Sequence, residues 1–183
     1  IPQGFLLYWV EEDVFHIREM VYLTQEARKG LWNFIRAHYS MIDAVKGHIY
    51  TGEPLAFLLD ESQIQETIEP YFMARIVDVA QFLRLYPFEG SIRPFHFVVT
   101  DPMAEWNNGI FSVATDREGT VSVTDEPAGK AVELDIQTLS AMLMGYKRPS
   151  YLARIERLHT DKRTLRLLEE IIPDGQPYFS DYF

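Results

Sequence analysis

Residues 60–69 carry no hydrophobic period, and that gap constrains the fold more than any patterned run. Apolar side chains at every second position mark half-buried strands, and recurrence at three and four marks helices. Both flanks of the gap are strongly patterned, so the chain divides there into residues 1–65 and 66–183. Its 183 residues can form two small domains, and 47% hydrophobic and 14% aromatic content can supply a core to each.

The first part opens on two strand-like runs, residues 5–10 and 15–23, separated by Glu11-Glu12-Asp13, which predicts a hairpin. In the second run Phe15, Ile17, Glu19 and Val21 share one face, and His16, Arg18 and Met20 the other. Thr24 then reads as the N-cap of a helix over 25–39, with Ala27, Leu31, Phe34, Ile35 and His38 at helical spacing. Gly30 weakens that helix by about 1 kcal/mol relative to alanine, so a close packing contact is expected there. A strand over 44–51 and a short helix over 55–59 follow.

The second part begins with a strand-like run, 71–77, and Asp78 as cap of a helix over 79–85. Runs at 95–99, 108–114, 120–123 and 131–134 predict a four-stranded meander, with a turn at Asp116-Arg117-Glu118-Gly119. Asp135 caps a helix that stops at Gly145. Two more helices are expected over 150–158 and 161–171, the second capped by Thr160 and ended by Pro173. The result is two α+β units.

Composition removes several function classes. A net charge of −10 gives no footprint for nucleic acid, and attracts cationic small molecules instead. With no cysteine there are no disulfides, thiolate metal sites or cysteine nucleophiles, which fits a reducing cytoplasm. The five histidines and the carboxylates lack ligand spacing, so no metal is expected. The longest apolar run, 5–10, is far too short to span a bilayer, so no membrane partner is expected. The chain begins at Ile1 and enters strand-like sequence almost at once, which reads as a portion of a longer protein.

Two places hold candidate chemistry. In Arg75-Ile76-Val77-Asp78, Asp78 is either a helix cap alone or also a carboxylate facing a cleft. The end of the chain, Pro177-Tyr178-Phe179-Ser180-Asp181-Tyr182-Phe183, is unusually aromatic for a terminus. It is either a docked segment closing a core or subunit interface, or a carrier that brings the Phe183 α-carboxylate into a cleft. Such a carboxyl has an ordinary pKa of about 3.5 and is a weak base unless burial raises it. Trp106-Asn107-Asn108-Gly109 reads as a turn with an anchoring Trp. Arg28-Lys29-Gly30 sits where a phosphate-binding loop would be, but has a single glycine and Glu26 beside it.

Two segments, Glu69-Pro70-Tyr71-Phe72-Met73-Ala74-Arg75-Ile76-Val77-Asp78-Val79 and Asp135-Ile136-Gln137-Thr138-Leu139-Ser140-Ala141-Met142-Leu143-Met144-Gly145-Tyr146, resemble the C-terminal region of the Eis (enhanced intracellular survival) family of GNAT N-acetyltransferases. The resemblance implies an α+β chain: a partial GNAT-like α/β unit, the second half of a central domain, over 1–65, then a sterol-carrier-protein-like domain over 66–183. It implies acetyl transfer from acetyl-CoA to an amine, often on a polycationic substrate such as an aminoglycoside. Acetyl-CoA would be held by an N-terminal domain outside this chain, so this portion alone is expected to be inactive. The resemblance assigns the Phe183 α-carboxylate as general base and Asp78 to the substrate cleft. Tyr182 stands where the family has an acidic residue, and Asp181 lies one position further back; both are candidate substrate contacts. It also implies homo-oligomers, hexamers in the family. The alternative is a non-catalytic module that binds an apolar ligand or serves assembly.

Overall fold

The expected hairpin is formed by β1 (Gly4–Glu11) and β2 (Val14–Tyr22), paired antiparallel. Its two-residue turn puts Glu12 and Asp13 at φ 49° and 60°, the left-handed geometry that matches the twist of the flanking strands. These details come from a computed structural model that describes residues 1–49, 55–59, 63–115 and 120–179. The chain forms two compact units, Ile1–Ile64 and Gln65–Phe183.

In the first unit, Thr24 caps α1 (Gln25–Arg36) by accepting the Ala27 N–H at 3.2 Å. The helix ends three residues earlier than its periodicity predicts, in turns over 37–41. Gly30 has nothing within 4 Å of a built Cβ, so the expected close contact is not there. The chain returns as β3 (Ala44–Gly47), parallel to β2, which makes β2–α1–β3 a crossover unit. Strand order is β1-β2-β3. Phe15, Ile17 and Ile35 are buried between sheet and helix, with Tyr8 stacked on Phe15 at 4.6 Å. A short α2 (Leu55–Leu58) follows.

The second unit is a five-stranded sheet with helices on one face. Its elements are α3 (Val79–Leu85), β4 (Phe95–Thr100), a 3₁₀ turn (Glu105–Asn107), β5 (Gly109–Thr115), β6 (Val121–Thr124), β7 (Lys130–Asp135), α4 (Ile136–Leu143), α5 (Pro149–Arg154), β8 (Leu158–His159) and α6 (Lys162–Ile171). Phe95, Phe97 and Val99 alternate with His96, Val98 and Thr100 along β4. The first set packs with Val113, Val132, Leu134 and Leu158 against Val79 and Leu83 of α3, Leu139 and Met142 of α4, Leu152 of α5 and Leu168 of α6. Each such side chain contributes roughly 1.5–3 kcal/mol through burial.

Four expectations are corrected. Strands β4, β5 and β6 do form an antiparallel meander, but β7 runs parallel to β4 on its other side, giving the order β6-β5-β4-β7-β8. The chain crosses back through 125–129, where Ser112 Oγ accepts the Ala128 N–H at 3.0 Å and His96 Nδ1 meets Ala128 O at 3.0 Å. Gly129, at φ +69°, passes so close to Pro94 that a Cβ would sit 1.7 Å from Pro94 O, so only glycine fits. The helix expected over 150–158 ends at Arg154, and Leu158–His159 pairs with β7 as β8. Residues 71–77 form no strand, and α6 is capped by Asp161, which accepts the Arg163 and Thr164 N–H groups, rather than by Thr160. Thr160 instead donates to Ala131 O at 2.7 Å. The turn expected at 116–119 lies outside the described residues. Among the described residues no helix is long and apolar enough to cross a membrane.

Candidate functional site

Asp78 is the N-cap of α3: it has extended backbone, its Oδ1 accepts the Gln81 N–H at 2.9 Å, and the residue is exposed. Capping uses one carboxylate oxygen and leaves the carboxylate accessible to solvent.

The placement of Asp78 is fixed by backbone contacts on both sides of it. Val77 O accepts from Trp106 Nε1 at 2.8 Å and from Asn107 Nδ2 at 3.0 Å. The Val79 N–H donates to Asn107 Oδ1 at 3.0 Å. Upstream, the Ile76 N–H donates to Ser140 Oγ at 3.1 Å, and the Ser140 hydroxyl in turn donates to Ile136 O at 2.8 Å. These bonds replace the strand ladder that 71–77 lacks.

Behind this segment lies a buried anion. Asp101, whose side chain has no exposed surface, receives both of its short contacts with Arg75 from Nη2, 2.7 Å to Oδ1 and 2.6 Å to Oδ2. Asn107 Nδ2 donates to Oδ2 at 2.9 Å, and the Met103 and Ala104 N–H groups donate to Oδ1 at 3.0 and 3.2 Å. Asn108 brackets the backbone of the same residue, accepting from Asp101 N and donating to Asp101 O. Burial by itself would raise the Asp101 pKa; the hydrogen bonds from Asn107, Arg75 and Met103 outweigh it and bring the carboxyl down to about 2. Asp101 was not singled out from sequence. The available signal was Asp-Pro followed by Trp-Asn-Asn, an Asx-turn composition with more hydrogen-bonding capacity than a turn needs. Trp106, expected to be an anchor, is 67% exposed and anchors only through its indole N–H.

The described stretch that follows α6, up to Phe179, is held at two points. Arg148 gathers the end of α6: Nη2 donates to Glu169 O at 2.7 Å, and Nη1 to Ile172 O at 2.9 Å and Pro173 O at 3.1 Å. Its Nε and Nη2 also pair with Glu169 Oε2 at 2.9 and 2.7 Å, while Glu169 Oε1 accepts the Ser150 N–H. Burial would raise the Glu169 pKa, but Ser150 and Arg148 together hold it below the ordinary carboxylate value. Further on, the Phe179 ring lies 5.5 Å from Phe72 and 6.4 Å from Tyr71. The tail thus docks on the segment that ends in Asp78. The candidates Asp181, Tyr182 and Phe183 lie outside the described residues. Among the described residues no group of His, Asp and Glu could hold a metal.

This fold has known relatives. Residues 79–180, more than half of the chain, match the model of the sterol carrier protein domain. The chain belongs to that family. Residues 1–76 match the acetyltransferase (GNAT) domain. N-acetyltransferase Eis of Mycobacterium bovis and of Mycobacterium tuberculosis is 24% identical over 182 residues, covering 96% of this chain and 44% of the relative. The chain therefore spans less than half the length of the curated relatives it matches. A probable N-acyltransferase from Enterococcus faecalis V583 superposes at TM-score 0.88 with 32% identity, over 99% of this chain and 47% of that one. A GCN5-related N-acetyltransferase from Anabaena variabilis gives 0.81 with 26% identity, over 96% and 46%. Eis1 from Mycobacterium abscessus, at 19% identity and TM-score 0.76 over 98% and 48%, shares the fold. The resemblance to the Eis family and the mixed α/β class, GNAT-like then sterol-carrier-like, are both found.

Proposed function

We propose that this chain serves an acetyl-CoA-dependent N-acetyltransferase that acts on small-molecule amines, polycationic ones included. The observation that carries the reading is the succession of a GNAT match over 1–76 and a sterol carrier match over 79–180. Its support is the chain end, led back onto the Asp78 segment through Phe179. Acetyl-CoA is taken by a domain beyond this chain, and the chain alone does not turn over.

In this reading the Phe183 α-carboxylate takes a proton from the substrate ammonium, directly or through water. The freed amine attacks the thioester carbonyl, a C–N bond forms, the C–S bond breaks, and the thiolate leaves to be protonated. Asp78, Asp181 and Tyr182 contact the substrate, and the −10 net charge favours approach of a cation. The protein acts as a homo-oligomer. The apolar-ligand alternative has less behind it: a groove of about 300 Å3 sets Val98 and Leu134 among Thr100, Glu133, Asp135, Glu156, Arg157 and His159, a mainly polar lining.

The test is acetyl-CoA turnover by the full-length polypeptide against an amine panel. Deleting Phe183, or extending the terminus by a few residues, is expected to abolish kcat. Undiminished turnover by the extended form would sink the assignment of the base.

A further inference from the structure

We infer that Trp106 is a further binding residue of the Asp78 site: its indole face and the Asp78 carboxylate together form a subsite for an organic ammonium group of the substrate. This rests on the reading of Asp78 as a substrate contact. Trp106 is 67% exposed, yet its ring is fixed, because Nε1 donates to Val77 O at 2.8 Å. That bond is not needed to satisfy the carbonyl. Asn107 Nδ2 reaches the same oxygen at 3.0 Å, and Asn107 Oδ1 holds the Val79 N–H on the other side of Asp78. The effect of the Trp106 bond is to hold a large aromatic face in solvent beside the carboxylate. A ring already fixed loses little further freedom when a ligand covers it.

The geometry admits one cation between the two groups. Val77 O belongs to the peptide that carries the Asp78 nitrogen, so Nε1 and the Asp78 carboxylate carbon lie at most about 8 Å apart. An ammonium contacts a carboxylate oxygen at about 2.8 Å and a Trp ring within about 6 Å of its centroid. Asp78 Oδ1 accepts the Gln81 N–H, and among the described residues nothing bonds Oδ2. The nearby Arg75 charge is matched by Asp101 behind the segment. Glu105, exposed on the same 3₁₀ turn as Trp106, adds a second negative charge to the face. Tryptophan attracts cations more strongly than the other aromatic side chains. The nitrogen that attacks the thioester must first give up its proton, so the ammonium held here is a different one. The subsite therefore selects substrates that carry a second, unreacting ammonium.

The experiment compares 1,4-diaminobutane with n-butylamine, which lacks the second ammonium, as acceptors for the full-length acetyltransferase. The variants are Trp106→Ala, Trp106→Phe and Asp78→Asn, the last of which keeps a helix cap. Val77 O retains Asn107 when Trp106 is truncated, so the fold survives the change. The expected result for Trp106→Ala is a fall of about 2- to 5-fold in the diamine-over-monoamine ratio of kcat/KM, carried by the KM of the diamine. Trp106→Phe keeps part of the ratio, and Asp78→Asn lowers it as well. A structural role for Trp106 would change both acceptors alike and leave the ratio unmoved, which overturns the proposal. A ratio that falls in Asp78→Asn but not in Trp106→Ala refutes the role of Trp106 alone. A ratio unmoved in Asp78→Asn refutes the underlying reading of Asp78.

Discussion

Replacing Asn107 with alanine tests a buried neutral side chain that makes three hydrogen bonds. Asn107 is buried to 1% exposure and makes three bonds, one accepted from Val79 N–H and two donated to Val77 O and Asp101 Oδ2. Two of its partners are partly rescued: Val77 O keeps Trp106, and Asp101 keeps Arg75. The Val79 N–H, on a residue with no exposed surface, has no such substitute in the network around it. An unsatisfied buried donor costs about 1–3 kcal/mol, and a lost bond to a charged acceptor adds about 1 kcal/mol or more. The loss is therefore about 2–4 kcal/mol, which in a unit of about 120 residues lowers the melting temperature by roughly 8–16 °C. Urea unfolding followed by circular dichroism, with calorimetry, measures it. A loss under about 0.5 kcal/mol would refute the reasoning, since it would mean that water satisfies these groups as well as Asn107 does. The Asn107→Asp variant adds a control. It keeps an acceptor for Val79 but sets a second carboxylate against Asp101, so it should be less stable than the alanine variant at pH 7. That gap should narrow on acidification.

Two further outcomes are expected. Asp101, Asp161 and Glu169 all titrate below their ordinary values in the folded chain, Asp101 at about 2 against 3.8. Their contribution is then fully present above the unfolded values and is lost as pH falls through the folded ones. The melting temperature of the second unit should drop from about pH 4 to pH 2, and a rise over that window would contradict the assignment. Gly129→Ala should break the crossover between β6 and β7, because its Cβ meets backbone rather than a movable side chain. Collapse of the near-ultraviolet circular dichroism signal of the second unit would register it, and a native spectrum with unchanged melting would refute it.

The sequence disclosed what is local. Thr24, Asp78 and Asp135 cap the helices that their spacing predicts, because a cap needs only its own next three residues. The alternation along β4 was also readable, since it is a pattern within one run. Residues 71–77 were misread for the opposite reason. Their composition suits a strand, yet their polar groups are met by Ser140, Trp106 and Asn107, 29 to 64 residues away. The parallel pairing of β4 with β7 is hidden in the same way, because it depends on Gly129 slipping past Pro94. The site was half legible: Asp78 stood out by its motif, whereas the buried Asp101 that anchors its surroundings looks in sequence like one more turn residue.

The depth of that anion's well has a kinetic meaning. Asp101 is fully ionised at pH values well above its pKa of about 2, so its pair with Arg75, behind the segment that carries Asp78, keeps its charges at neutral pH. A pH-dependent step near neutrality is therefore not the titration of Asp101.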